Sequence, residues 1–132
     1  MHHDVERGHD GVVFAQMSGA TFWLALSKPR LLDEIAAFLA AAPAAEWAEL
    51  RRFDRPALAA YLDEPDHELA EQLLDRCPAF CRHLIGRGYA HVLRAGDVLL
   101  MPQLSLDTCV WHSVICLGDE EGEGLSFALT RQ

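Results

Sequence analysis

Hydrophobic patterning divides the chain into three stretches. In the first, apolar, β-branched and aromatic residues crowd together: Val12, Val13 and Phe14, then Thr21, Phe22, Trp23 and Leu24. Ser18-Gly19 lies between them as a turn signal, so residues 12 to 27 read as a β-hairpin. After Ser27-Lys28-Pro29 the period changes. Leu31, Leu32, Ile35, Phe38 and Leu39 recur at helical spacing, with Asp33-Glu34 suited to the first turn and an alanine-rich run over 36 to 42. Pro43 breaks this helix, and a short second one carries Trp47 and Leu50 and ends at Arg51-Arg52. Asp54 with Pro56 marks a third start, Asp66 a fourth, and Pro78 opens a last helix ended by Gly86-Arg87-Gly88.

Strand character returns at Tyr89, His91, Val92 and Leu93. A turn at Ala95-Gly96-Asp97 leads into Val98 to Met101, which Pro102 stops because it cannot donate to a ladder. Cys109 to Leu117 and Leu125 to Thr130 are the last two β-prone runs. The pattern predicts one α+β domain over residues 1–132, with antiparallel strands in 12–26 and 89–130 and a helical insertion over 30–87.

Composition narrows the class. The chain has 132 residues, 51% hydrophobic and 23% charged, which is ordinary for a globular domain able to bury its own core. Its net charge of −9, from 20 acidic and 11 basic residues, argues against nucleic-acid phosphates or an anionic membrane as partner. No basic segment precedes an apolar one as in a signal peptide, and no apolar run is long enough to span a bilayer. Four cysteines in so apolar a chain read as reduced thiols of a cytoplasmic protein.

The candidate chemistry begins with His112, set between Trp111 and Ser113 in a β-prone run. By itself it reads as a histidine satisfied within the core. At the other end of the chain stands His2-His3-Asp4. In a strand, residues two apart share a face, so His2 and Asp4 present an imidazole and a carboxylate together. With His112 they make a two-histidine, one-carboxylate set suited to non-haem Fe(II). His9-Asp10 is a second His/acid pair, but only His2 and Asp4 keep the two-residue spacing. Gln16, inside an apolar strand, is either a network residue or a ligand contact, since a buried amide needs partners.

Other constellations are weaker. Cys77, Cys81, His83 and Cys109 fit buried thiols better than zinc, as Pro78 interrupts the spacing. The acidic Gly118–Gly124 loop lacks the ligand pattern of a calcium loop. There is no strained Gly-x-Ser-x-Gly elbow and no phosphate-cradling glycine loop.

Three segments resemble the cupin-like, JmjC-type branch of the double-stranded β-helix proteins. His-x-Asp at residues 2–4 is followed by the strand from Val12 to Gly19 and the aromatic strand from Thr21 to Leu26. Ala95 to Pro102 is similar to that family's Gly-Asp strand, and Trp111 to Val114 to its distal metal-histidine segment, with Leu125 to Leu129 as closing strand. The resemblance implies an antiparallel double-stranded β-helix, partial or complete, and an Fe(II)/2-oxoglutarate-dependent oxygenase with His2, Asp4 and His112 as ligands. It places Gln16 and Thr21 at the cofactor and leaves the substrate as a small molecule or a protein side chain. It also implies a barrel without the family's first strands, whose open edge suits a homodimer. Two departures favour the alternative of a non-catalytic binding or assembly module: the absent first strands, and Thr21 standing where 2-oxoglutarate users carry an anchoring lysine, the chain's one lysine being Lys28. The linker from Pro102 to Trp111 is also longer than the family's.

Overall fold

A computed structural model describes residues 1–5, 9–119 and 121–130. Their elements are β1 (Gly11–Gln16), β2 (Ala20–Ser27), α1 (Lys28–Ala41), α2 (Arg55–Leu62), α3 (Glu68–Leu74), α4 (Pro78–Gly86), β3 (Ala90–Arg94), β4 (Val98–Pro102), β5 (Val110–Leu117) and β6 (Gly124–Leu129). The strands form two three-stranded antiparallel sheets, ordered β4-β1-β6 and β3-β2-β5. The result is a mixed α+β fold, with the four helices between β2 and β3.

The 12–27 hairpin expected from the sequence does not form: β1 and β2 belong to different sheets. Ser18-Gly19 is a corner, and the donors near it are spent elsewhere. The Met17 and Ser18 amides donate to the Glu123 carbonyl at 2.8 and 3.1 Å, and the Gln16 side-chain amide donates to the Ser18 carbonyl at 2.6 Å. The connections β3–β4 and β5–β6 also change sheet. Each of the three corners carries a left-handed glycine: Gly19 (φ 66°), Gly96 (φ 94°) and Gly118 (φ 85°). At Gly96 the Asp97 carboxylate closes the turn, accepting from the Arg94 amide at 2.7 Å.

Side chains of both sheets meet in a small core of Val12, Met101, Trp23 and Leu93, with Phe14 and Trp23 rings 4.8 Å apart. The other face of β3-β2-β5 packs on the helices in a larger core that holds Leu24, Leu26 and Trp111 with Leu31, Ile35, Leu73, Phe80 and Leu84. Alternate residues of β2 and β5 thus serve two cores, as the two-residue period of a strand requires. Among the described residues no such layer covers the outer face of β4-β1-β6: Val98, Leu100, Leu125, Phe127 and Leu129 stand exposed there.

Helix ends follow the sequence in part. Pro29 and Pro78 sit in first turns, and the Asp54 carboxylate caps α2 by accepting from the Ala57 amide at 2.9 Å. Asp66 does not cap α3. His67 takes the capping position without a side-chain bond, and the Tyr61 hydroxyl accepts from the Leu69 amide at 3.2 Å instead. The short helix expected around Trp47 is a 3-10 turn at Leu50–Arg52. Asp33 and Glu34 fall beyond the first turn of α1, because that helix already begins at Lys28.

Candidate metal centre

Strand β5 fixes His112. Its pairing with β2 sets His112 opposite Ala25, while its neighbour Trp111 turns into the helical core. His112 is 4% exposed and lies 5.6 Å, centroid to centroid, from the Trp23 ring. The chain's first residues then come to it. The His2 amide donates to the His112 carbonyl at 2.9 Å, and the His112 amide donates to the His2 carbonyl at 2.8 Å. This is one rung of an antiparallel ladder, formed by residues 110 positions apart in the chain.

The rung puts the His2 ring 4.4 Å from the His112 ring, tilted by 58°. Two residues on, Asp4 is buried at 5% exposure, its Oδ2 3.9 Å from His112 Nε2. One ligand atom from each of His2, Asp4 and His112 lies within 4.8 Å of the other two, and among the described residues this is the one such metal-competent cluster. Ligands at right angles about an ion at about 2.1 Å stand roughly 3 Å apart, so binding would draw the set inward by an ångström or more. Exposed His2 has the freedom to make that movement.

The electrostatics suit a ligand. Burial, reinforced by the neighbouring His2, depresses the His112 pKa from 6.5 to about 4, against the opposing pull of Asp4. The imidazole is therefore neutral at physiological pH, the form that donates a lone pair to a metal. Among the described residues His112 Nδ1 is buried with no well-formed hydrogen bond, the Val110 backbone being a polar neighbour of the ring. A buried polar atom left unmatched costs stability, and a functional role is a common reason for keeping one. Two imidazoles and a buried carboxylate are the donor chemistry of a divalent transition metal, and these residues fit one.

Gln16 and Thr21, placed at the cofactor by the resemblance, are both buried and bonded to each other. The Thr21 hydroxyl donates to Gln16 Oε1 at 2.7 Å and accepts from Trp23 Nε1 at 2.8 Å. Neither belongs to the cluster, and Thr21 is linked to it through the Trp23 ring beside His112. His9 and Asp10 are not in the cluster, and the Asp10 backbone is bonded to Leu129 and Gln103. The four cysteines are free thiols and group with no metal-competent set among the described residues.

Three features escaped sequence reasoning. A cavity of about 530 Å³ opens beside the centre, lined by His2, His3, Asp63, His67, Leu106 and Trp111 among others. Lys28, 1% exposed, pairs with Asp63 at 2.5 Å, joining the start of α1 to the end of α2. Glu34, 3% exposed, accepts from His83 (2.7 Å), Arg87 (3.1 Å) and Tyr89 (3.1 Å), tying α1 to α4 and the start of β3. The only signal for the latter two was a charged residue on the apolar side of a helical pattern.

Comparison with protein-family models, with curated proteins and with solved structures finds no match to this chain. No described helix is long and apolar enough to cross a membrane.

Proposed function

We propose that this protein binds one divalent transition metal, Fe(II) by the donor set, through His2, Asp4 and His112, and catalyses an oxidation as a 2-oxoglutarate-dependent oxygenase of the cupin-like, JmjC type. The observation that carries this reading is the convergence of the three side chains from opposite ends of the chain. The architecture supports it, since corners that pass the chain from one antiparallel sheet to the other are what a double-stranded β-helix requires. The bound metal would supply redox chemistry and coordination positions open to small ligands.

The chain's own residues divide the remaining work. His112, neutral and locked in β5, is the fixed ligand. Buried Asp4 would offset part of a bound ion's charge. His2, exposed and at the rim of the cavity, is the adjustable ligand, and that cavity is where a substrate would approach. The Trp23 ring, tilted by 32° to that of His112 at 5.6 Å, packs beside it.

A second reading, a binding or assembly module without 2-oxoglutarate chemistry, draws on one observation. Thr21, at the expected lysine position, has its hydroxyl engaged by both Gln16 and Trp23, and Lys28 is committed to Asp63. An anaerobic Fe(II) titration, with and without 2-oxoglutarate, separates the readings. The oxygenase reading expects one metal per chain, bound more tightly with 2-oxoglutarate, and lost in His112→Ala while far-UV circular dichroism is unchanged. Metal binding that ignores 2-oxoglutarate supports the module. Undiminished binding in His112→Ala defeats the centre itself.

A further inference from the structure

The outer face of β4-β1-β6 is apolar at every position. Register places Val98, Ala15 and Leu125 in one cross-strand row, Leu100, Val13 and Phe127 in the next, and Pro102, Gly11 and Leu129 in the third. These nine positions carry no charge and no polar side chain. Val98 is 61% exposed, Leu100 60%, Phe127 53%, Leu125 49% and Leu129 42%. An antiparallel sheet with one face in water ordinarily alternates apolar inside with polar outside. Here the inward residues Val12, Phe14, Leu99 and Met101 of β1 and β4 are apolar as well, Gln16 being the polar exception on these two strands, so β1 and β4 carry apolar residues on both faces.

We infer that a second copy of this chain packs on this face, sheet against sheet, about a two-fold axis. The relief of the face favours a copy of itself. Its central column on β1 is Gly11, Val13 and Ala15, lower than the Leu100 and the Leu125, Phe127 and Leu129 that flank it on β4 and β6. The face thus carries a furrow and a ridge side by side, and a two-fold axis seats the ridge of each copy in the furrow of the other, the arrangement of an isologous interface. Two twisted sheets pack in this manner at about 10 Å with strands roughly 30° apart.

Charge points the same way. Each copy carries −9, so a self-contact must be free of acidic groups, and this face is. A charged partner would find nothing here to pair with. The exposed apolar surface is on the order of 500 Å², near the top of what a monomer leaves in water. Two such faces would bury at most about 1,000 Å², the lower bound for a specific interface and appropriate to a weak dimer that dissociates on dilution. The metal reading plays no part in this assignment.

Sedimentation equilibrium over a micromolar to submillimolar range tests it. The wild-type chain is expected to shift from monomer to dimer. Phe127→Glu and Leu100→Glu, both at exposed positions, should each weaken association by roughly thirtyfold or more, with far-UV circular dichroism unchanged. Ile85→Glu, which adds the same charge at an exposed position on α4, should leave the dimer intact. A wild-type monomer throughout the range overturns the inference. So does a dimer that survives both face variants, or one that Ile85→Glu disrupts equally.

Discussion

His2 and His112 are joined by two backbone hydrogen bonds, each amide donating to the other residue's carbonyl. The main chain thus brings the two imidazoles together. Removing the His112 imidazole leaves this rung in place, which is why His112→Ala tests metal binding without dismantling the strand. Changing Asp4 to Asn should likewise remove the anionic ligand with little change in shape, and should weaken Fe(II) at least tenfold, about 1.4 kcal/mol. Isothermal titration under anaerobic conditions measures it.

Glu34 connects acid stability to the fold. Burial pushes its carboxyl pKa up, but the bonds from His83, Arg87 and Tyr89 outweigh that and hold it below its ordinary 4.5. A carboxylate with a folded pKa below its unfolded value contributes stability in full above about pH 4.5 and loses it as pH falls through the folded value. Glu34→Gln should therefore flatten the acid limb of a urea-midpoint-against-pH curve below about pH 4.5. A limb of unchanged slope would assign acid sensitivity to other carboxylates.

Cysteine reactivity should separate by burial. Cys109 is 0% exposed, and burial raises its thiol pKa from 9.0 to about 11. Cys116 is exposed near the end of β5. Since the thiolate is the nucleophile, iodoacetamide near neutral pH is expected to label Cys116 in the native protein and Cys109 only after unfolding. Peptide mapping by mass spectrometry reads the order.

The Lys28–Asp63 pair should respond asymmetrically. Asp63→Ala leaves the buried ammonium unpaired, at an expected cost of about 3 kcal/mol. Lys28→Met removes the buried charge and keeps the stem's packing, so it should cost about 1 kcal/mol or less. Chemical denaturation of the two variants measures the difference, and equal costs would mean that the ammonium finds another partner.

Gly124 has a steric reason. A Cβ built there would lie 2.3 Å from Cζ of Phe14, whose ring packs against Trp23. Gly124→Ala should cost about 2 kcal/mol, as overpacking does, and Phe14→Leu in the same chain should recover part of it. Thermal midpoints of the two single variants and the double variant give the coupling.

Element type was legible in the sequence and strand partnership was not. The change from β-branched runs to helical spacing after Ser27, and back after Gly88, marks where strands give way to helices. Pro29, Asp54 and Pro78 mark helix starts through local chemistry, so they could be read locally. Ser18-Gly19 signals a turn with equal clarity, but a glycine with φ of 66° serves a hairpin or a corner alike. What decides is whether the neighbouring amides find the next strand or, as here, the carbonyl of Glu123 more than a hundred residues away. Asp66 failed as a cap for a similar reason, since the Tyr61 hydroxyl from the preceding helix reaches the Leu69 amide. The His2, Asp4 and His112 triplet was legible as chemistry, through two-residue spacing and a strand histidine. Its cavity, made by side chains from four separated segments, was not.

The corner at Gly19 also governs how the protein reaches its native state. Because β1 and β2 do not pair, a peptide covering residues 11–27 contains two strands and no ladder between them. Every ladder joins strands separated by other elements: β1 with β4 and β6, β2 with β3 and β5. Loop-closure entropy must be met before any of these pairings returns energy, so contact order is high and folding should be slow for a chain of this length. Collapse of the four helices is the local event available early, and the sheets, with the His2–His112 rung among the longest closures of all, assemble on what the helices have already built.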